Sequence, residues 1–119
     1  MKMNLFLFLL LTSQSHAARL HPESEYRDRW CDDRYGETEV TLSDRTRVDC
    51  ITADYAVEID FANKWAEAIG QSLHYSRMTD RKPGIVLILE TDSDLKHYYL
   101  LQDTIKHICP RITLWKMTP

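Results

Sequence analysis

Asp49 and Glu58 are the residues of this chain best suited to chemistry by type and spacing, with Glu25, Glu39 and Asp60 as possible additional acids. Asp49 and Glu58 fall in two short alternating segments, Arg47 to Thr52 and Tyr55 to Phe61, separated only by Ala53-Asp54. A two-residue connection fixes the register of a hairpin. That register sets Thr52 opposite Tyr55, Ile51 opposite Ala56, Cys50 opposite Val57, Asp49 opposite Glu58, Val48 opposite Ile59 and Arg47 opposite Asp60. Val48, Cys50, Val57 and Ile59 then share one face, as a core requires. The other face carries Asp49 directly against Glu58, with Cβ atoms roughly 5 Å apart. Like charges that close repel each other, and a divalent cation with oxygen ligands is the natural group to hold them together.

The preceding hairpin extends the pattern. If Ser43-Asp44-Arg45 is a three-residue loop, Val40 faces Val48 and Glu39 faces Asp49. Glu39, Asp49 and Glu58 then form a row of carboxylates across three strands. The next row is Thr41, Arg47 and Asp60, in which Arg47 partly neutralises Asp60. The same acids would also suit a solvated polar face, or a structural device in which Arg47 pairs them.

The elements that must position these acids follow from periodicity. His21-Pro22-Glu23 reads as a helix start, with Pro near the first position and acids in the first turn. Tyr26 and Trp30 follow at helical spacing, and Arg34-Tyr35-Gly36 ends that helix. Strands are expected over Thr38–Leu42, Arg47–Thr52 and Tyr55–Phe61. Asn63 is positioned to cap a second helix running to about Ser76, with Trp65, Ile69 and Leu73 facing the core. Pro83-Gly84 reads as a break. The apolar run Ile85–Leu89 marks a strand buried on both faces in parallel pairing. Thr91 or Ser93 opens a third helix with an apolar stripe of Leu95, Tyr98, Leu101, Ile105 and Ile108. Cys109-Pro110 stops it, and Ile112, Leu114 and Trp115 suggest a last strand. The expected class is α/β in the order α-β-β-β-α-β-α-β, a mixed sheet flanked by helices. The crossover should be right-handed.

Taken in that order, Asp49, then Glu58-Ile59-Asp60, then a helix bearing Lys64 and Gln71-Ser72-Leu73-His74-Tyr75 resemble the PD-(D/E)xK nuclease superfamily, whose core is restriction-endonuclease-like. The resemblance spans about Pro22 to Trp115, and Arg47 through Tyr75 is its specific part. It implies a hydrolase of phosphodiester bonds in nucleic acid, with Mg²⁺ or Mn²⁺ held by Asp49, Glu58 and the backbone carbonyl of Ile59. It places Gln71 and Tyr75, a match to the Gln-x-x-x-Tyr pattern of the RecB-like branch, against substrate or the metal shell. Glu25 matches by position an acid common on the first helix, and it equally suits the helix dipole as a first-turn residue. The motif's lysine should stand two residues after Glu58, where this chain has Asp60. Some branches carry the lysine on the next helix, and for Lys64, which otherwise reads as a snorkelling surface lysine, the resemblance implies that catalytic role. Without it, the fold would serve as a catalytically inactive module that binds metal or a protein partner, with Tyr98 or Tyr99 as the contact.

The bulk numbers bound these readings. The chain has 119 residues, one domain's worth. Residues 1–17 read as a signal peptide: a basic start at Lys2, an apolar run Leu5–Leu11, and a Ser15-His16-Ala17 cleavage site. The apolar run is far short of the roughly 20 residues a spanning helix needs. A single soluble domain over 18–119, free of the membrane and exported to a periplasm or beyond the cell, is therefore expected. Loss of Lys2 takes the formal charge from −3 to −4, which argues against a generic basic nucleic-acid coat.

Cys31, Cys50 and Cys109 allow one disulfide, and export permits it. Cys31 at the end of the first helix and Cys50 on the core face of the second strand are the preferred pair. Their spacing does not suit a structural zinc site. Arg77, Arg81 and Lys82 follow the second helix as solvated cations, also suited to a phosphate backbone.

Overall fold

The computed structural model describes residues 18–119, and the expected leader, residues 1–17, lies outside the described residues. Helix α1 (Glu23–Asp32) starts behind Pro22 with Glu23 and Glu25 in its first turn, where the missing proline N–H costs nothing and acids face the positive dipole end. It buries Tyr26, Trp30 and Cys31. Its end is a tight turn: Tyr35 adopts φ 54°, and the Gly36 N–H donates back to the Cys31 carbonyl at 3.0 Å.

Strands β1 (Glu37–Thr41), β2 (Arg47–Ile51) and β3 (Tyr55–Phe61) form an antiparallel meander. A 3-10 turn, Ala62–Lys64, leads into α2 (Trp65–Thr79). Strand β4 (Lys82–Ile88) lies parallel to β3, with Tyr55 opposite Lys82 and Glu58 opposite Ile85. The Thr91 side chain and Asp94 close a capping box over the turn that opens α3 (Leu95–Ile108). Strand β5 (Thr113–Met117) adds in parallel to β4, so the sheet runs β1-β2-β3-β4-β5. The chain is α/β with a five-stranded mixed sheet and three helices. No helix among the described residues is long and apolar enough to cross a membrane.

One sheet face packs on α1 through Tyr26, Trp30, Val57, Ile59, Val86 and Ile88. The other packs on α2 and α3 through Ala68, Ile85, Leu87, Leu101 and Ile105. Both crossover helices therefore cover one face while the strands step the same way across the sheet, as two crossovers of one hand require. Cys31 and Cys50 are joined by a disulfide with Cα atoms 5.8 Å apart, tying α1 to β2. Gly36 is required beside it, since a Cβ there would lie 2.6 Å from both sulfurs.

Three expectations are corrected. Pro83-Gly84 lies inside β4 rather than breaking the chain. Strand β5 begins only opposite Gly84, so at Pro83 the strand has one ladder neighbour and the missing N–H is tolerated. Leu73 is exposed, because the buried stripe of α2 is Ala68, Ser72 and Tyr75. Ile108 is exposed at the last turn of α3, beyond the reach of the sheet, leaving Leu101 and Ile105 as that helix's buried anchors.

Gly84 makes room for Trp115, whose ring also packs on Trp30 and Tyr55 at centroid distances of 5.2 and 5.0 Å. A Cβ at Gly84 would meet Trp115 Cζ3 at 2.6 Å. Gly84→Ala should therefore cost about 1–3 kcal/mol through overpacking. The check is a lower urea midpoint at unchanged slope, followed by tryptophan fluorescence.

Candidate functional site

The alternation of β3 sets its two faces. Val57, Ile59 and Phe61 pack beneath α1, while Ala56, Glu58 and Asp60 point towards α2. Glu58 and Asp60 are only 5% and 6% exposed, although both are acids. They stand towards the C-terminal end of β3, the strand end where open α/β sheets form their ligand sites.

The β2–β3 ladder is short. Cys50 pairs with Val57 and Ile51 with Ala56, as the two-residue turn implies, and pairing stops there. The Ile59 N–H is given to Asp49 instead: Asp49 Oδ2 accepts it at 2.7 Å. A side chain thus takes the donor that a continuing strand would have used. Asp49 and Glu58 do not form a ladder pair, yet Glu58 comes within hydrogen-bonding reach of both Asp49 and Asp60. The expected pairings of Val48 with Ile59 and Arg47 with Asp60 do not form. Val48 packs with Ala56 and Tyr75 beneath α2, away from Cys50, and Glu39 beside this twist adopts φ 50°.

Burial is the first cause of the electrostatics. It raises the Glu58 carboxyl, and the Asp49 and Asp60 charges add to that, taking it up to about 11. Asp60 is raised to about 7, chiefly by burial, with Glu23 and Asp49 adding to it and Lys64 opposing. Asp49 is raised by burial despite the Ile59 N–H, the Glu58 carboxyl and Arg27. In its protonated form Glu58 has one O–H to give, to Asp49 or to Asp60. Asp60 Oδ2 remains buried without a hydrogen-bond partner.

Around this core the expected residues separate. Lys64 is exposed in the turn after β3, and its charge is felt by Asp60 and Glu23. Tyr75 is buried, and its hydroxyl is pushed up to about 12 by burial and then by Glu58, Asp49 and Asp60, so it stays a donor. Gln71 is exposed one turn before Tyr75 on α2. Glu39 bonds Arg27 at 2.6 Å and lies 3.8 Å from Arg47, so Arg47 serves Glu39 rather than Asp60. Glu25 pairs with His21 at 3.0 Å on the exposed side of α1. The acid that α1 does supply is Glu23, raised by burial and by Asp49. Its signal was helical phase: Glu23 lies three residues before Tyr26 and seven before Trp30, on the stripe that faces the sheet. Arg27, one turn on, is the neighbouring cation and also feels Asp49.

The donor set fits a hard divalent cation in its chemistry. It is all oxygen, buried at Glu58 and Asp60, and includes the unused Asp60 Oδ2. Among the described residues, however, no group of three or more His, Cys, Asp or Glu side chains stands ready to hold a metal ion. A metal ion placed here would have to displace the Glu58 proton.

Without metal, stability should depend on pH with an unusual sign. Glu58 and Asp60 keep their protons to higher pH in the folded chain than in the unfolded one, where such groups titrate near about 4. The folded state therefore binds more protons, and its stability falls as pH rises from about 4 through 7 and above. Thermal unfolding in chelator at pH 5 should give a higher Tm than at pH 8, and the reverse order would contradict the protonated cluster.

Comparison with protein-family models, curated proteins and solved structures gives no match to this chain.

Proposed function

We propose that this chain is a metal-dependent nuclease on a restriction-endonuclease-like core, hydrolysing phosphodiester bonds of nucleic acid. The observation that carries the reading is the cluster of Asp49, Glu58 and Asp60 where β2 parts from β3, with Glu58 and Asp60 buried, Asp49 half-buried and an Asp60 oxygen left unused. A fold has little reason to bury two carboxyls beside a third unless they are needed. The element order, helix then meander then helix then strand, supports the same reading. Mg²⁺ or Mn²⁺ held by Asp49, Glu58, Asp60 and the Ile59 carbonyl would supply Lewis-acid stabilisation of a phosphoryl oxygen and acidify a water. Lys64 would orient that water and offset the phosphate charge beside Asp60. Tyr75 would donate its hydroxyl towards the same space, and Glu23 would complete the acid set from α1. Export to a periplasm or the outside is compatible with the Cys31–Cys50 disulfide.

The test is cleavage of labelled DNA and RNA by the mature chain with Mn²⁺ or Mg²⁺ and with chelator. Cleavage should require the metal and vanish in Asp49→Ala. Lys64→Ala should lower kcat about 100-fold, as loss of a positioned proton-handling group does. Cleavage that survives Asp49→Ala defeats the proposal.

A second reading is favoured by Asp60 at the lysine position and by the exposure of Gln71. On that reading the fold binds metal or a protein partner without cutting, with exposed Tyr99 and Leu100 on α3 as the contact. Tyr98 is less suited, since it packs against the core and lies under Lys116 at 5.3 Å. Metal binding by calorimetry without any cleavage would select this reading.

A further inference from the structure

At the other end of β3 and β4 from the carboxylates, the C-terminus of α2 and the start of β4 border an open cleft of about 700 Å³. Arg77, Arg81, Lys82 and Arg111 line it, with Asp80 as its acid. The cations come from four segments: α2 (Arg77), the turn into β4 (Arg81), the first residue of β4 (Lys82) and the loop between α3 and β5 (Arg111). None forms an ion pair with a described carboxylate. Arg81 Nε is buried with no hydrogen-bond partner. A guanidinium N–H is a strong donor without alternatives, and burying one unmet is costly. The Ser76 hydroxyl donates to the Arg81 carbonyl and fixes the turn that presents this side chain. Leu73 and Pro83 supply apolar wall.

Attraction of cations to the negative end of α2 accounts for Arg77 and Arg81. It does not account for Arg111, which comes from another loop, or for the unmet Nε. A generally basic surface does not explain the patch either, since the whole chain carries a formal charge of −3. An anion that accepts from several guanidinium groups satisfies all of these observations, and phosphate is the tetrahedral oxyanion such forks bind best. The cleft falls within the roughly 300–1,000 Å³ of small-molecule sites, so a bare phosphate would leave much of it empty.

We propose that this cleft binds a small phosphomonoester of about nucleotide size, its phosphate on Arg81, Arg77 and Arg111 and its body against Leu73 and Pro83. The site is separate from the carboxylate cluster and does not depend on what that cluster does.

The test follows the Arg Nε–H resonances of the mature chain by NMR during titration with inorganic phosphate and, separately, with a nucleoside 5′-monophosphate. Both should move the Arg81 resonance, and the nucleotide should saturate at a concentration about tenfold lower or less, because its body adds contacts. Arg111→Gln, a change at an exposed position, should weaken nucleotide binding about tenfold. Asp49→Asn should leave it unchanged, so a failure of the nuclease reading would not be mistaken for a failure here. An Arg81 resonance that neither ligand moves at millimolar concentration overturns the site. Equal affinity for the two ligands overturns the phosphomonoester assignment, and undiminished binding by Arg111→Gln overturns the role of that arginine.

Discussion

Glu58→Gln is expected to move stability and activity in opposite directions. The glutamine amide is nearly isosteric and can donate to a neighbouring carboxylate as the protonated carboxyl does, but it cannot ionise. Above neutral pH the native cluster must either hold a proton against solution or bury a like charge, and the variant does neither. Its gain in the metal-free state at pH 8 should be on the order of 1 kcal/mol, or about 4–8 °C in Tm for a domain of this size. Cleavage should fall at least about 1,000-fold, equivalent to about 4 kcal/mol of lost transition-state stabilisation, because a neutral amide is a poor ligand for a hard cation. Added Mn²⁺ separates the two effects. At a concentration of 100 times its Kd it should stabilise the native chain by about 2.7 kcal/mol and leave the variant's Tm near its metal-free value. Ligation must also release the Glu58 proton, so the heat of Mn²⁺ binding should vary with the ionisation enthalpy of the buffer. A variant less stable than the native chain in chelator would show that Glu58 is a structural ion rather than a strained one.

Much of this geometry was legible in the chain's own pattern, and the parts that were not have physical reasons. The two-residue turn at Ala53-Asp54 dictated the pairs Cys50–Val57 and Ile51–Ala56, and both form. The three-residue loop dictated Val40 opposite Val48, and that pair forms too. Alternation cannot report where a ladder stops, because Val48 has the same parity whether or not its strand is still paired. The stop arises from a side chain: Asp49 takes the Ile59 N–H, and β2 turns away. For the same reason the acid row was only half readable. Glu58 and Asp60 lie together as two-residue spacing requires, but Glu39 is drawn off by Arg27. Pro83-Gly84 looked like punctuation because local propensity carries no information about a neighbour. The proline is tolerated by the late start of β5, and the glycine is demanded by the Trp115 ring. On α1, Glu25 and Glu23 are equivalent by composition, and only the phase set by Tyr26 and Trp30 tells them apart.

Loss of the Cys31–Cys50 bridge should produce the largest stability change of any covalent alteration to the described chain. The two cysteines are 19 residues apart in sequence, and closing a loop of that length in the unfolded chain is worth about 3 kcal/mol on the chain-entropy account. Both are fully buried, and they join the end of α1 to the strand that carries Asp49. The bridge thus fixes where β2 may part from β3, since Cys50 is the last ladder residue before the break. Cys31→Ser with Cys50→Ser should lower the denaturant midpoint by the equivalent of about 3 kcal/mol, and a reductant should do the same to the native chain. Gly36→Ala should act in the same direction, because its Cβ would press on both sulfurs at 2.6 Å. The positional consequence is separable from the energetic one. If the bridge sets the break in the ladder, the double variant should also lose Mn²⁺ affinity under conditions where it remains folded, whereas a merely stabilising bridge would leave that affinity intact.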